Sequence, residues 1–369
     1  MTPNVRPSVG DDEATLQECT VKKTVGMTAV AVLALSLAAC GERSENAPQT
    51  EEIDFKACMV SDSGGFDDKS FNQTSLAGLT AAEDDLGVQT ATIESASDAE
   101  YADNLQSMAD EGCNEITTVG FLLGDATREA AEQNPDIDYA IVDFEFTDPK
   151  TFEPNPPDNA KGLTFDTGQP SFLAGYTAAA TSESGKVGTF GGLNIPTVTI
   201  FMTGFLQGVE YYNEENGENV EVIGWDGKDG SFTEDFEDQA KGQQVAEQMI
   251  QQGADVIFPV AGPAGLGGLK AAQDNDAWGI WVDTDGCESA AEYCDILLTS
   301  VVKGMDVAVQ QAILDSASGS FSSDIYSGTL EDGGVSLAPY GPNADVDDEL
   351  AAKIDELKQM IIDGTITVG

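Results

Sequence analysis

The sequence predicts an α/β protein of two lobes, each a parallel sheet flanked by helices, with a ligand cleft between the lobes. Short apolar strand patterns alternate with helical patterns, as in "VQTATI" followed by "DAEYADNLQSMADEG". Strands separated by helices of this length form right-handed, parallel βαβ units. The alternation runs in two series that meet near residue 170. Ligands of such sheets bind beyond the carboxyl ends of the strands.

The boundaries of the lobes follow from length and pattern. A chain of 369 residues suits two domains of ordinary size. We expect a first lobe from residues 54–168 and about 298–324, and a second lobe from residues 169–297 and about 325–369. A proline-rich stretch, "TDPKTFEPNPPDN", predicts a surface loop within the first series.

The charge of the chain excludes several classes of partner. It has 66 acidic residues, 16 basic residues and no histidine, for a net charge of −50. Such a charge repels nucleic acid and anionic lipid headgroups, and a solvated acidic surface explains it without further function. The absence of histidine removes the usual general base and the commonest metal ligand. We therefore expect no cofactor, no metal site and no hydrolytic triad.

The segment before residue 54 predicts export. Lys22 and Lys23 precede an apolar run, Thr24–Ala39, that is shorter than the roughly 20 residues a membrane-spanning helix needs. The sequence "LAAC", ending at Cys40, resembles the bacterial lipobox, in which the cysteine is acylated and becomes the mature N-terminus. The alternative is an ordinary signal peptide with a chance cysteine.

The two ends of this segment carry separate expectations. Residues 1–20 are acidic where a signal peptide is basic, and Val21 precedes the two lysines, so we expect residues 1–20 to be a gene-start artefact. Residues 41–53 are polar and are expected to be a flexible tether within a lipid-anchored, extracytoplasmic protein.

The remaining cysteines predict two disulfides, since an even number outside the cytoplasm favours pairing. Cys287 and Cys294 lie close together in a polar loop, which favours a local bond. That leaves Cys58 with Cys113, each beside a predicted strand, where adjacent parallel strands would bring them together. Three pairings are possible in principle. A metal site is the weaker alternative because no CxxC pair exists among the four.

Carboxylates at the ends of predicted strands indicate a site for vicinal hydroxyls. Asp62, Asp143 and Asp283 each end or follow a strand, and Lys303 follows "LLTSVV". Each aspartate alone would serve equally well as a helix cap or a solvated turn. Phe71 and Phe201 lie near helix starts, one in each predicted lobe, and would suit a flat heterocycle held between two rings. Core packing is the alternative for either ring alone.

Two other motifs resemble a phosphate loop and a calcium loop but lack residues that those sites need. The glycine-rich "AGPAGLGG" lacks the lysine and hydroxyl of a Walker loop, so its glycines favour close approach to a neutral ligand over phosphate binding. The stretch "DGKDGSFTED" misses the calcium-loop spacing because Lys228 and Gly230 replace ligands.

Nine segments in family order resemble the basic membrane protein family of nucleoside-binding lipoproteins of bacterial ABC transporters. They include "SDSGGFDDKSFNQ", "NPDIDYAIVD", "KVGTFGGLNIP", "FMTGFLQGVE" and "LTSVVKGMDVAV", and they span residues 55–340. The resemblance implies a type I periplasmic-binding-protein fold, a nucleoside ligand, which we expect to be a purine nucleoside, and a membrane permease as partner. It also implies a monomer without enzymatic activity.

The resemblance assigns roles to individual residues. It implies a ribose-binding Asp62, stacking rings at Phe71 and Phe201, and further ligand contacts at Asn72, Asp143, Gly262, Asp283 and Lys303. Where the family often has "AGGTGNG", this chain has "AGPAGLG", with Pro263 and Leu266 as departures that bear on the preferred nucleoside.

Three alternatives to nucleoside transport remain open at this point: a binder of simple sugars or other small metabolites, a sensor without transport, and a secreted hydrolase that uses paired carboxylates. The two aromatic rings favour a flat base over a bare sugar. The absence of histidine disfavours the hydrolase.

Overall fold

Two six-stranded sheets with the same strand order form the described part of the chain. The computed structural model describes residues 53–148 and 150–369. The predicted signal segment, Cys40 and residues 41–52 of the expected tether lie outside the described residues. The predicted fold class, two parallel-sheet lobes with flanking helices, is confirmed.

The first lobe is built by the first series of elements. Its strands are β1 (Lys56–Ser61), β2 (Gln89–Glu94), β3 (Glu115–Val119), β4 (Asp138–Val142) and β5 (Ala160–Phe165), and its helices are α1 (Phe71–Leu86), α2 (Tyr101–Asp110) and α3 (Gly124–Gln133). Single 3₁₀ turns cover Asp98–Glu100 and Phe121–Leu123.

The second lobe follows the same plan. Its strands are β6 (Lys186–Gly191), β7 (Glu221–Ile223), β8 (Val256–Val260), β9 (Trp278–Asp283) and β10 (Leu297–Lys303), and its helices are α4 (Gly168–Thr181), α5 (Pro196–Asn216), α6 (Gln239–Gln251), α7 (Gly262–Asp274) and α8 (Gly286–Ser289). A 3₁₀ segment, Ala291–Ile296, precedes β10.

The last part of the chain returns to both lobes. It contains α9 (Met305–Ala317), β11 (Tyr326–Gly328), β12 (Val335–Leu337) and α10 (Asp348–Ile362). Helix α9 packs against α1 of the first lobe, and α10 packs against α4 of the second. The completed strand orders are β2-β1-β3-β4-β5-β11 and β7-β6-β8-β9-β10-β12. Only β12 is antiparallel to its neighbour among the described strands.

The expected lobe boundaries differ from the sheets at two strands. We placed residues from about 298 in the first lobe, but β10 pairs with β9 in the second sheet. We placed residues from about 325 in the second lobe, but β11 pairs with β5 in the first. Strand β10 is buried almost throughout, so its apolar pattern predicts a central strand without indicating the sheet. Pairing with β9 follows the tendency of consecutive strands to be neighbours.

Close packing of α4 on α5 fixes the helix that carries Phe201. A side chain at Gly175 would overlap the backbone oxygen of Phe205, and one at Gly208 would overlap that of Phe172. Pro196 stands at the first position of α5, where its missing N–H leaves no helical bond unmade. The start of α5 is therefore held rigidly beside the ends of the strands.

Both predicted disulfides are confirmed. Cys58 in β1 is bonded to Cys113 just before β3, with the Cα atoms 6.0 Å apart, and β1 and β3 are adjacent parallel strands. Cys287 and Cys294 are bonded across the short loop between α8 and β10, with the Cα atoms 4.5 Å apart. Among the described helices, none has the length and apolar character of a membrane span.

Candidate functional site

The carboxyl ends of the strands of both sheets line a cleft of about 630 Å³, part of which is continuous with solvent. The structure brings together in its walls all eight residues that the sequence singled out: Asp62, Phe71, Asn72, Asp143, Phe201, Gly262, Asp283 and Lys303.

Asp68 organises the loop between β1 and α1. Its carboxylate accepts hydrogen bonds from the backbone N–H groups of Ser70, Asn72 and Gln73 at 3.0, 2.8 and 3.0 Å. These are the unpaired donors of a helix start, so Asp68 caps α1 and fixes the direction in which Phe71 and Asn72 enter it. Burial raises the pKa of Asp68 to about 6 even though these N–H bonds favour the charged form. No pattern in the sequence marks Asp68, among several neighbouring carboxylates, as the cap.

Asp143 and Asp283 occupy equivalent positions in the two lobes. Asp143 follows β4 and Asp283 ends β9, each the fourth strand of its sheet. Both residues have left-handed backbone conformations, with φ of 65° and 69°. Such a conformation is uncommon for a residue other than glycine, and aspartate is among those that tolerate it best. The turn aims each carboxylate into the cleft at the point where the strand stops.

Lys303 lies between these two carboxylates. Its Nζ is 2.5 Å from Asp143 Oδ2 and 3.8 Å from Asp283 Oδ1, and its exposed fraction is 3%. The pair with Asp143 joins the two lobes, because Lys303 ends β10 of the second sheet. Burial raises the pKa of Asp283, and the Lys303 ammonium opposes that rise. The three groups together carry one unit of negative charge in excess when all are ionised.

The two phenylalanines approach the same ammonium from different lobes. The ring centroids of Phe71 and Phe201 are 4.8 and 5.4 Å from Lys303 Nζ. Phe201 also packs beside Phe205 and Phe258 in the core of the second lobe and is 2% exposed. Phe201 therefore both packs in the core and lines the cleft. Phe71 is half-buried and is freer to contact a ligand.

Asp62 and Asn72 form a polar corner in the first lobe. Burial raises the pKa of Asp62 well above its usual range, the neighbouring carboxylates of Asp68 and Asp143 add to the rise, and the Asn72 amide opposes it. Asn72 donates from Nδ2 to the Ser63 carbonyl at 3.2 Å, while its Oδ1 has no partner among the described residues. Gly120 makes room for this corner, since a side chain there would overlap the Asp62 carboxyl.

The glycine-rich segment contributes the start of α7. Gly262 is the first residue of that helix and has a φ of +51°, a value that favours glycine. Pro263, one of the two departures from the family pattern, lines the cleft. Leu266, the other, packs against Trp281 in the core instead. Only Pro263 can therefore change what the cleft accepts.

Sequence reasoning missed several residues of the walls. Phe121 and Phe236 add apolar surface beside the two predicted rings, and Val198 adds an aliphatic contact from α5. Phe236 directly follows the stretch "DGKDGSFTED", which resembles a calcium loop. The first and last residues of that stretch, Asp226 and Asp235, instead accept backbone N–H bonds within tight turns. Within the described residues no cluster suited to a metal ion is present. No residue pattern distinguishes these two rings from core residues.

The loop before α1 also contacts the second lobe directly. Ser70 is fully buried and donates a 2.6 Å hydrogen bond from Oγ to Asp283 Oδ2. Beside it, the indole N–H of Trp281 donates to the Lys69 carbonyl at 3.4 Å, and Lys69 pairs with Glu292 at 3.0 Å. We call these three contacts the interlobe latch. A serine inside a motif of carboxylates gave no signal in the sequence.

Comparison with known proteins places the chain in a family. The profile of the family "ABC transporter substrate-binding protein PnrA-like" matches residues 55–369. The "CD4+ T-cell-stimulating antigen" of Listeria innocua is 31% identical, over 94% of this chain and 98% of its own length. The "ABC transporter nucleoside-binding protein BmpA" of Lactococcus lactis is 29% identical, over 94% of this chain and 99% of its own.

A solved structure gives the same result for the fold. The crystal structure of an ABC transporter solute-binding protein from Aeropyrum pernix K1 superposes with a TM-score of 0.74 at 28% identity, covering 85% of this chain and 92% of the other. The chain therefore belongs to the PnrA-like family of ABC transporter substrate-binding proteins, and its two lobes have the type I solute-binding fold.

Proposed function

We propose that this protein binds a nucleoside between its lobes and delivers it to an ABC permease. The observation that carries the proposal is the composition of the cleft, to which both lobes supply aromatic rings and strand-end carboxylates. The printed name of the Lactococcus lactis relative, a nucleoside-binding protein, supports the same ligand class. The N-terminal segment supports an extracytoplasmic protein anchored through acylated Cys40.

The two halves of a nucleoside match two parts of the cleft. The flat base would lie against Phe71 and Phe201, and base–aromatic stacking contributes about 1–3 kcal/mol per base. The ribose hydroxyls would donate to Asp143 and Asp283, whose excess negative charge over Lys303 leaves acceptor capacity unfilled. Hydrogen bonds to charged groups contribute about 1.5–3 kcal/mol each.

The polar corner would meet a polar edge of the base, so Asp62 would contact the base and not the ribose that the resemblance implied for it. Because burial raises the pKa of Asp62, its carboxyl holds a proton at higher pH than an exposed aspartate and can donate a hydrogen bond. The unpartnered Asn72 Oδ1 accepts one. A donor beside an acceptor suits an amide-like or amidine-like edge, which nucleobases present and simple sugars lack.

Closure of the lobes would couple binding to delivery. Ligand contacts come from both lobes, so a ligand favours the arrangement in which the lobes meet. The interlobe latch supplies protein contacts for that same arrangement and places Ser70 on the carboxylate proposed to hold the sugar. Ser70 therefore acts on the ligand through Asp283.

Native mass spectrometry of protein purified without refolding tests the ligand class. We expect a retained species with the mass of a nucleoside, released on unfolding. A species with the mass of a free sugar would contradict the proposal. So would the appearance of free base when the protein is incubated with inosine or adenosine, because that outcome indicates a hydrolase.

Substitution of the rings tests the stacking. Phe71→Ala is expected to lower nucleoside affinity by roughly 5–150-fold, the equivalent of about 1–3 kcal/mol. Phe201 is a core residue as well, so Phe201→Leu, which removes the ring but keeps a large apolar side chain, is the appropriate change there. Calorimetry measures both variants, with Phe321→Ala as control because Phe321 packs beneath Lys161. Wild-type affinity in both ring variants would show that the rings only fill the core.

The interlobe latch predicts that the Ser70 hydroxyl slows dissociation of the nucleoside. Ser70→Ala removes a hydrogen bond to a carboxylate between the lobes, so we expect nucleoside dissociation to be about 10-fold faster or more, with association little changed. Ser75→Ala is the matched control, because the Ser75 hydroxyl bonds to Phe71 O within the first lobe. Stopped-flow fluorescence gives both rates. Equal dissociation rates in the two variants would rule out the latch.

The lipid anchor is tested by fractionation of cells. Cys40→Ser is expected to release the protein from the membrane fraction in detergent-free buffer, since it removes the acylated residue. Cys19→Ser, in the segment before the signal, should leave the protein with the membranes. Sedimentation of the Cys40→Ser variant with membranes would contradict the anchor.

A further inference from the structure

The walls of the ligand cleft hold more negative than positive charge. Among the described residues, the charged side chains that line it are four aspartates and one lysine: Asp62, Asp68, Asp143, Asp283 and Lys303. All five are buried. Four carboxylates against one ammonium would leave three units of negative charge in excess if every group were ionised. Because a buried charge without compensation is costly, a cleft of this composition favours the binding of protons.

The compensation for charge is shared unequally among the four aspartates. The Lys303 ammonium lies against Asp143 and Asp283. Asp68 accepts three backbone N–H bonds at the start of α1. Asp62 has no ion pair among the described residues. Asp62 is therefore the carboxyl group of the cleft whose negative charge is least compensated.

The groups that face Asp62 favour its neutral form. They are the Asn72 amide and the Asp68 carboxylate from the segment before and at the start of α1, the Asp143 carboxylate after β4, and Tyr101 of α2. Burial and the two carboxylates raise the pKa of Asp62, while the Asn72 amide and the backbone N–H of Asp62 oppose that rise. The Asp62 carboxyl thus lines the cleft as a group that binds a proton readily.

We propose that Asp62 is a proton site coupled to the ligand, so that the protein takes up a proton from solvent at this carboxyl when it binds a nucleoside and releases the nucleoside as the pH rises. The inference rests on the proposed nucleoside ligand. The protonated carboxyl donates its O–H to an acceptor nitrogen or oxygen of the base, whereas a carboxylate would repel that acceptor. A neutral ligand also displaces water from the cleft, which disfavours the charged form further.

The direction of the pH dependence follows from linkage between the two binding events. The ligand prefers the protonated carboxyl, so it raises the pKa of Asp62 above that in the empty protein. At pH values below both, Asp62 is protonated with or without ligand, and the affinity does not depend on this group. Between the two, the affinity falls by up to about tenfold for each unit of pH, because one proton binds with the ligand. A carboxylate that accepted a hydrogen bond from the ligand would give the opposite slope.

Calorimetry at a series of pH values tests the coupling. Asp62→Asn keeps the size of the side chain and an N–H donor but has no proton to lose. The dissociation constants of inosine and adenosine are measured for both proteins between about pH 5 and about pH 9, a range that spans the raised values. Their ratio cancels the ionisation of the ligand, Asp68 and Asp283, which both proteins share. We expect the two proteins to agree within about 10-fold at the lowest pH and the wild type to weaken by at least about 10-fold relative to the variant at the highest.

A count of protons gives a second readout that does not depend on the variant. Calorimetry of the wild type in two buffers with different heats of ionisation measures the protons taken up with the nucleoside, and we expect an uptake that Asp62→Asn reduces. Asp67→Asn, at an exposed carboxylate of the same segment, is the control and should keep the wild-type profile.

The outcomes separate this inference from the proposed function. A ratio that does not change with pH, release of protons on binding, or loss of affinity by about 100-fold in Asp62→Asn at every pH would overturn the proton site. Each of these leaves the nucleoside proposal intact, because the wild type still binds. Failure of the wild type to bind either nucleoside at any pH would overturn both.

Discussion

The structure of the site depends on one buried ammonium shared by carboxylates of both lobes. Lys303 ends a strand of the second sheet, yet its shorter contact is to Asp143 of the first lobe. Transferring each of these charged groups from water into the protein costs several kcal/mol. The presence of a buried ion pair is therefore not explained by a contribution to folding stability alone. The ammonium instead holds the carboxylates of Asp143 and Asp283 close together in the cleft. Hydrogen-bond donors of a ligand then meet acceptors that need no rearrangement.

The equivalent positions of the two aspartates explain how the cleft obtains one carboxylate from each lobe. The sheets share a strand order, and in each the fourth strand ends in a residue with positive φ. The chain crosses between the lobes three times: after β5, after β10 and after β11. Relative motion of the lobes would change the distance between Asp143 and Lys303 while leaving each sheet intact. In the proposed closure, one movement would both bring the lobes together and complete the site.

The segment from Asp62 to Asn72, which joins β1 to α1, serves three physical roles. Asp68 caps the helix, Asp62 and Asn72 provide a polar corner, and Ser70 bonds to a carboxylate of the other lobe. The Cys287–Cys294 disulfide restrains the segment that carries Glu292, the exposed partner of Lys69 in the latch. An exposed ion pair contributes little free energy, so the buried hydrogen bond from Ser70 to Asp283 is the dominant contact of the interlobe latch.

The sequence by itself determined the class of fold, the disulfides and most of the polar residues of the site. Strand and helix periods are local, and carboxylates that end parallel strands must gather at one edge of a sheet, which is why Asp62, Asp143 and Asp283 were found. Tertiary structure alone decided the sheet to which β10 and β11 belong, because an apolar strand pattern is the same in either sheet. It also decided that Ser70 meets Asp283 and that Phe236 faces the cleft. These facts depend on contacts between residues distant in the chain, and a serine or a phenylalanine has the same local pattern whether it lies in a core or in a site.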